Sequence, residues 1–360
     1  MSGKRLRRAF QAALSLVEAR PHSLLSVVSD EAAWVLDEEA AAIVSLAHRL
    51  GLRAGLEHGL AARARQCRHY TSQFILLEDA AFRTAHRISI DYLHGTPAGE
   101  PAFAELLEAL KRRRDRLWRV RVSHAAMERL VLEAGLAAAT VQRIPLGIEP
   151  SRFPEQTLES RKAARRELGL PEAAVVVGSF QKDGVGWGAG LEPKLIKGPD
   201  VFLGAVAELH SQASELWVLL TGPARGFVKS GLEALGIPHR HLTFDRAADV
   251  ARCYQALDVY LVASREEGGP KAVLEAMASG VPLVTTRVGQ AADLVQHGVN
   301  GFCVEVEDAA GLAHWAARAL QDSALRAGVV AAGRETARAN SYDAQLPLWR
   351  RFFEGYVESR

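Results

Sequence analysis

The chain has 360 residues, 48% hydrophobic and only 24% charged, too long for one compact core and too apolar for a disordered chain, so two domains are expected. Its 44 Lys and Arg against 42 Asp and Glu leave a formal charge of +2, which excludes a dedicated nucleic-acid binder by bulk electrostatics. Three scattered cysteines, Cys67, Cys253 and Cys303, have no CxxC spacing, so neither a disulfide framework nor a zinc site is indicated and a reducing cytosol fits. The basic start MSGKRLRRAF leads into no long apolar run and no small-residue cleavage site, so a secretory signal is not expected. No segment approaches the ~20 apolar residues that cross a bilayer. The expected location is cytoplasmic, soluble or at most peripheral at the inner membrane surface.

Short β-branched runs alternate with helix-period segments throughout, the pattern of parallel strands joined by crossover helices, and the fold class is α/β. Leu24–Val28 reads as a buried strand, and Leu36, Ala40, Ile43, Ala47 and Leu50 share one face of a helix that Gly51 closes. Residues 87–92 make another strand, 103–117 a helix and 119–122 a further strand. IPLGIEPSRFPE, residues 144–155, carries three prolines and one glycine and reads as a connection between domains. The second half restarts with a strand at 174–177 and a helix with Phe202, Ala205, Val206 and Leu209 on one face. Strands follow at 216–220, 259–262, 282–285 and 302–306. Residues 342–356, with Leu346, Trp349, Phe352, Phe353 and Tyr356, are amphipathic and need a surface to dock on.

Several familiar sites are excluded because their residues are missing: there is no GxxxxGK[ST], no HExxH and no GxSxG. Gly184, Gly186, Gly188 and Gly190 lack GxGxxG spacing and a strand-to-helix setting, so they read as a mobile loop rather than a dinucleotide fingerprint. No Asp-x-Asp occurs, which removes the simplest carboxylate pair for holding a divalent cation against a diphosphate. A bound diphosphate would need cationic side chains and backbone N–H groups. Lysines number only eight, which makes the position of each informative.

SREEGGPKAVLEAMASGVPLVTT, residues 264–286, follows the strand at 259–262 and opens a helix that Pro270 can initiate. The amides of Lys271, Ala272 and Val273 at that helix start, with the positive end of its dipole, suit a phosphate. Gly268 and Gly269 allow close backbone approach. In an open α/β sheet, ligands bind at this carboxyl end of a strand. Glu267 precedes the helix and Glu275 lies more than a turn inside it, so one carboxylate can reach a sugar and the other a ribose. Solvated or capping acids are the ordinary alternative, and the adjoining glycines and helix start favour a site.

This segment resembles the E-x7-E signature of the retaining GT-B glycosyltransferases of family four, the glycosyl transferases group 1, with Glu267 and Glu275 as its acids. VSHAAMERLVLEAGL (122–136), IPLGIEPSRF (144–153), ASGVPLVTT and NGFCVE (300–305) extend the likeness; before residue 122 it rests on RISIDYLHG (87–95). The resemblance implies two Rossmann-like domains facing a cleft, an acceptor-binding domain over 1–152, a nucleotide-sugar-binding domain over 153–340, and a helix over 341–360 packing back on the first. It implies a metal-independent hexosyltransferase that moves a sugar from a nucleotide-diphosphate donor, a UDP- or GDP-sugar, with retention and no cofactor. Glu275 would hold the ribose and Glu267 the donor sugar, while Gly268, Gly269, Lys271, Ala272 and Val273 would line the sugar and diphosphate.

The family also places two cations on the diphosphate. Lys197-Gly198 matches one; for the other, Gly178 is followed by Ser179, Phe180, Gln181 and Lys182, and Lys182 is taken as the substitute, with Ser179 beside the donor. Two lysines and a helix start can stabilise a departing diphosphate without metal. His94, at the end of the strand over 87–92, matches a family histidine that approaches the donor sugar. The chain departs from the family in carrying Ser29, Asp30 and Glu31 where a glycine-rich loop is common, Pro270 in place of a residue with an N–H, and Leu146 in place of asparagine. The acceptor is a glycan, lipid-linked or small molecule. Residues 1–150 hold 21 basic and 17 acidic side chains, among them Lys4, Arg5, Arg7, Arg8 and the run KRRRDRLWRVRV (111–122). That skew permits peripheral membrane contact, although a solvated helix face is the readier explanation. The other readings are a GT-B sugar phosphorylase and a non-catalytic nucleotide-sugar-binding protein.

Overall fold

In this computed structural model, residues 22–29, 34–57, 66–97, 100–213, 215–244 and 247–358 are described. Lys4, Arg5, Arg7 and Arg8, together with Asp30 and Glu31, lie outside them. Twelve strands are formed by the described residues. In the first half these are β1 (Leu24–Val28), β2 (Arg53–Glu57), β3 (Cys67–Tyr70), β4 (Arg87–Asp91), β5 (Leu117–Val122) and β6 (Val141–Arg143). In the second they are β7 (Val175–Phe180), β8 (Leu216–Thr221), β9 (His239–Leu242), β10 (Val259–Val262), β11 (Leu283–Thr286) and β12 (Phe302–Val304).

The strands form two six-stranded sheets, ordered β2-β1-β3-β4-β5-β6 and β12-β11-β10-β7-β8-β9, and every pairing is parallel. Parallel sheets are covered by helices on both faces, so their central strands read as unbroken apolar runs; all four residues of β10 are buried. The strands that hydrophobic patterning passes over are those with polar or short sequences: RAGLE in β2, CRHY in β3, VQR in β6 and HRHL in β9. The helix expected over 103–117 runs instead from Pro101 to Arg113, and β5 starts at Leu117. Proline at its first turn pre-sets the backbone dihedral there.

Two compact units result, Met1–Leu146 with Tyr342–Arg360, and Gly147–Ser341. The second begins before residue 153 because Ile148 and Phe153 are buried in its core, and the Ile148 N–H donates to Asn340 O. The closing helix, Tyr342–Phe353, belongs to the first unit: Trp349, Phe352, Phe353 and Tyr356 pack with Leu25, Val27, Ile43 and Cys67. Among the described residues, no helix is long and apolar enough to cross a membrane.

Beneath that helix lies a buried polar network. Arg121 donates to Glu39 Oε2 at 3.0 Å, Asp91 Oδ2 at 3.2 Å and the carbonyls of Ile144 and Pro145, and its guanidinium stands over the Trp349 ring. His69 Nε2 lies 3.1 Å from the second Asp91 oxygen, while Ser89 donates to Tyr356 and Tyr342 to Glu39. Burial works against the Asp91 carboxylate, but the adjacent Arg121 and His69 more than offset it and hold its pKa below the ordinary value. A depressed carboxyl pKa contributes stability above the unfolded-state pKa and loses it as pH falls through the folded-state value. We therefore predict that Asp91→Asn, which leaves Arg121 short of one counter-charge, destabilises the protein by roughly 3–5 kcal/mol near neutrality. The gap to the wild type should narrow as pH drops below about 4, as read by urea denaturation across pH.

Candidate functional site

In the second sheet β8 and β9 extend to one side of β7, and β10 to β12 to the other. Neighbouring chain paths therefore diverge at the carboxyl ends of β7 and β10, which is where open α/β sheets leave a ligand crevice. Three segments meet there: the turn after β7, the loop leading into Lys197, and residues 264–270 after β10.

Lys197 is placed by backbone crowding. Leu195–Lys197 form a single 3-10 turn ending at Gly198, which has φ +61°. A Cβ on Gly198 would run into the carbonyl oxygen of Ala263 at the end of β10, so only glycine permits this approach. The same turn is tied to the next segment by Ile196 O, which accepts from the N–H groups of Arg265 at 2.8 Å and Glu266 at 3.1 Å. Arg265 adds a two-pronged contact to Asp200 (2.8 and 2.7 Å) and a bond to Leu195 O at 2.8 Å. Lys197 Nζ is thereby delivered 2.6 Å from Glu267 Oε1, and Ser264 donates to the same oxygen at 2.9 Å. With side chains 24% and 11% exposed, the pair is reachable yet partly desolvated. In that setting a charge-assisted bond is stronger than on an open surface.

After Glu267, the Gly268 carbonyl accepts from the Gln290 N–H, and Gly268 is buried. The helix Lys271–Ala278 follows, with Pro270 as its N-cap rather than its first helical residue. The Val273 N–H donates to Pro270 O at 3.0 Å. This corrects the expectation of three free amides: the first turn closes tightly and takes up Val273. The amides of Lys271 and Ala272 precede that bond, and the Lys271 side chain is buried to 9% exposure. Glu275, on the second turn, accepts from the Tyr254 hydroxyl at 2.8 Å through Oε2.

The turn after β7 differs from expectation in two ways. Ser179 lies within β7, buried, and both its hydroxyl and its carbonyl accept from the Arg225 guanidinium. Lys182 Nζ stands 4.2 Å from the centre of the Trp187 ring, a cation–π contact. The glycine run is anchored and not loose. Val185 donates to Glu192 O and Lys194 to Asp183 O, while the helix Gly226–Ala234 donates its Gly226 and Phe227 amides to Ala189 O and Gly190 O. Gly184 and Gly190 lie against the Ala224 backbone, where side chains would collide, and Trp187 remains exposed.

Arg225 carries no sequence signature, and patterning missed it. Fully buried, it donates to the carbonyls of Ser179, Gln181 and Thr221 and lies 3.0 Å from Asp183 Oδ2. It thus pins the turn that carries Gln181 and Lys182. Burial pushes the Asp183 pKa up and the Arg225 pKa down. Gln181 in turn donates to Lys197 O at 3.0 Å. Tyr254 and Tyr260 were likewise missed; they flank and form β10, and buried aromatic residues there read as core.

His94 belongs to the first unit, three residues past β4. Its carbonyl accepts from Gln73 Nε2 at 2.7 Å, and its ring meets Phe103 edge-on. Gly95, with φ +104°, passes directly over that phenyl ring. Tyr70 is buried in the core of this unit, whereas Phe74 is exposed.

Residues 184–322 match the family described as Glycosyl transferases group 1. The D-inositol 3-phosphate glycosyltransferase of Salinispora arenicola is 31% identical over 222 residues, which is 56% of this chain and 47% of that protein. The N-acetyl-alpha-D-glucosaminyl L-malate synthase of Bacillus anthracis is 32% identical over 123 residues, 34% of this chain and 32% of that one. The chain spans about half the length of the D-inositol 3-phosphate glycosyltransferases it matches. Among solved structures, Anabaena Alr3699/HepE in complex with UDP and glucose superposes with TM-score 0.74 at 17% identity, covering 94% of this chain and 100% of that one. The sucrose-phosphate synthase of Thermosynechococcus elongatus superposes with TM-score 0.73, also at 17% identity, covering 93% and 100%. Residues 184–322 thus resemble the group 1 glycosyltransferases, and the two parallel six-stranded sheets give the chain the GT-B fold.

Proposed function

We propose that the protein is a retaining, metal-independent glycosyltransferase that moves a sugar from a nucleoside-diphosphate donor to a hydroxyl acceptor. The observation that carries this reading is the 2.6 Å Lys197–Glu267 pair at the β7/β10 switch point, beside the start of the helix that bears Glu275. The named activities of the curated relatives and the UDP-glucose complex of Alr3699/HepE support it. The donor is a UDP- or GDP-sugar bound by the second unit, and the first unit binds a carbohydrate, lipid or small-molecule acceptor.

In this reading Glu275 accepts hydrogen bonds from the ribose hydroxyls and Glu267 from the donor sugar. Lys197, with Lys182 and the amides of Lys271 and Ala272, meets the diphosphate charge. The bond between the anomeric carbon and the phosphate oxygen breaks while the acceptor oxygen bonds to that carbon on the same face. The acceptor proton passes to the departing diphosphate oxygen, and configuration is retained. Lys197 matters most as negative charge builds on the leaving group, because it is already held in place and needs no reorganisation.

A thermal-shift panel of UDP-, GDP- and ADP-sugars tests the pocket. One base should stand out, with a donor at about 100 times its Kd adding about 2.7 kcal/mol of stability; no shift with any of the three would defeat the reading. With the selected donor, Glu275→Ala should weaken binding about ten- to a hundredfold, the worth of a hydrogen bond to a charged group. Lys197→Ala should instead lower turnover of donor cleavage about a hundred- to a thousandfold. Unchanged kinetics in both variants would refute the site. Release of sugar phosphate that depends on added inorganic phosphate would show a phosphorylase instead.

A further inference from the structure

The carboxylate of Glu275 is held from behind by a line of groups that no part of the reaction scheme uses. Tyr254, at the end of the short helix Ala251–Tyr254, and Tyr260, in β10, are both fully buried. The Tyr254 hydroxyl donates to Glu275 Oε2 at 2.8 Å. The Phe180 N–H, at the end of β7, donates to the Tyr260 hydroxyl at 2.8 Å. The two rings lie against each other, with centroids 5.3 Å apart.

The chemistry of the end groups sets the direction of each bond. A backbone N–H can only donate and an ionised carboxylate can only accept. The Tyr260 hydroxyl therefore accepts from Phe180, and the Tyr254 hydroxyl gives its single proton to Glu275. The rings are also clamped, since Tyr254 meets Phe153 and Phe180 edge-on at 5.9 and 4.8 Å. Glutamate is a long, rotamer-rich side chain, and gripping two vicinal hydroxyls requires its carboxylate to stay in one plane. Tyr254 supplies that plane, its ring held between Phe153, Phe180 and the backbone-anchored Tyr260.

We infer that Tyr254 and Tyr260 are positioning residues that set the preference for ribose over 2′-deoxyribose, acting through Glu275. This rests on the proposed role of Glu275 as the ribose ligand. The inference adds that the preference depends on a rigid support outside the pocket and not on the glutamate alone.

The test measures dissociation constants by calorimetry for UDP, GDP and ADP, each against its 2′-deoxy counterpart. The wild type should favour the ribonucleotide of its preferred base by about tenfold or more. Glu275→Gln should bring that ratio to near one. Tyr254→Phe keeps the ring and its packing and should lower the ratio at least about threefold, chiefly by weakening the ribonucleotide, with the 2′-deoxy form little changed. Tyr260→Phe, which frees only the ring that packs against Tyr254, should lower it by less. If Tyr254→Phe weakens both nucleotides equally at an unchanged ratio, or changes neither, while Glu275→Gln abolishes the ratio, the inference fails and the ribose role of Glu275 stands. If Glu275→Gln keeps the ratio, or none of the nucleotides binds, both fall.

Discussion

Everything at the candidate site depends on how closely the turn before Gly198 approaches the end of β10. A glycine in the left-handed region, with no Cβ to strike the Ala263 carbonyl, brings the Ile196 carbonyl onto the amides of Arg265 and Glu266. The Lys197–Glu267 pair is a consequence of that backbone contact. The ion pair by itself is a weak reason for two charges to come together, because partial burial costs each of them hydration. The backbone bonds hold the geometry, and the charges occupy it.

A second layer of buried polar groups stiffens the surroundings. Arg225 gathers three carbonyls, those of Ser179 in β7, Gln181 just after it and Thr221 at the end of β8. Asp258 accepts from Arg165 at 2.6 Å and from the Val176 N–H at 2.8 Å, which fastens the helix Leu158–Leu168 to the starts of β7 and β10. The tyrosine line behind Glu275 does the same for a single carboxylate. Each device spends a buried donor on a fixed acceptor, which is how an active site keeps its charged groups pre-arranged with little reorganisation left for the reaction itself. The first unit follows the same logic with Arg121, Asp91 and Glu39 under the closing helix, where the network bonds the loop at Ile144 and Pro145 to the sheet.

Much of the fold was legible because its carriers are periodic. The apolar runs of β1, β7, β8, β10, β11 and β12, the one-sided helix with Phe202 and Leu209, and the aromatic stripe of Tyr342–Phe353 each declare a buried face. In the site, Glu267, Glu275 and the Lys197-Gly198 pair were readable from spacing and resemblance. Less was readable for Ser179 and Lys182, because a residue's place beside a family motif does not say where its side chain turns. Ser179 was taken by Arg225, and Lys182 stacks on Trp187.

The amino-acid sequence alone determined the α/β class, the two-part organisation, the strand-turn-helix at residues 259–278 and the acids that frame it. These follow from local periodicity and from residue types with narrow conformational or chemical uses. Only the tertiary structure decided that β2, β3, β6 and β9 are strands, that Val273 closes the first helical turn, and that Arg225, Tyr254 and Tyr260 stand behind the site. Those outcomes depend on pairing with partners far away in the chain. A polar strand such as CRHY is held by its neighbours in the sheet, and a buried arginine or tyrosine gains its role only when distant acceptors converge on it.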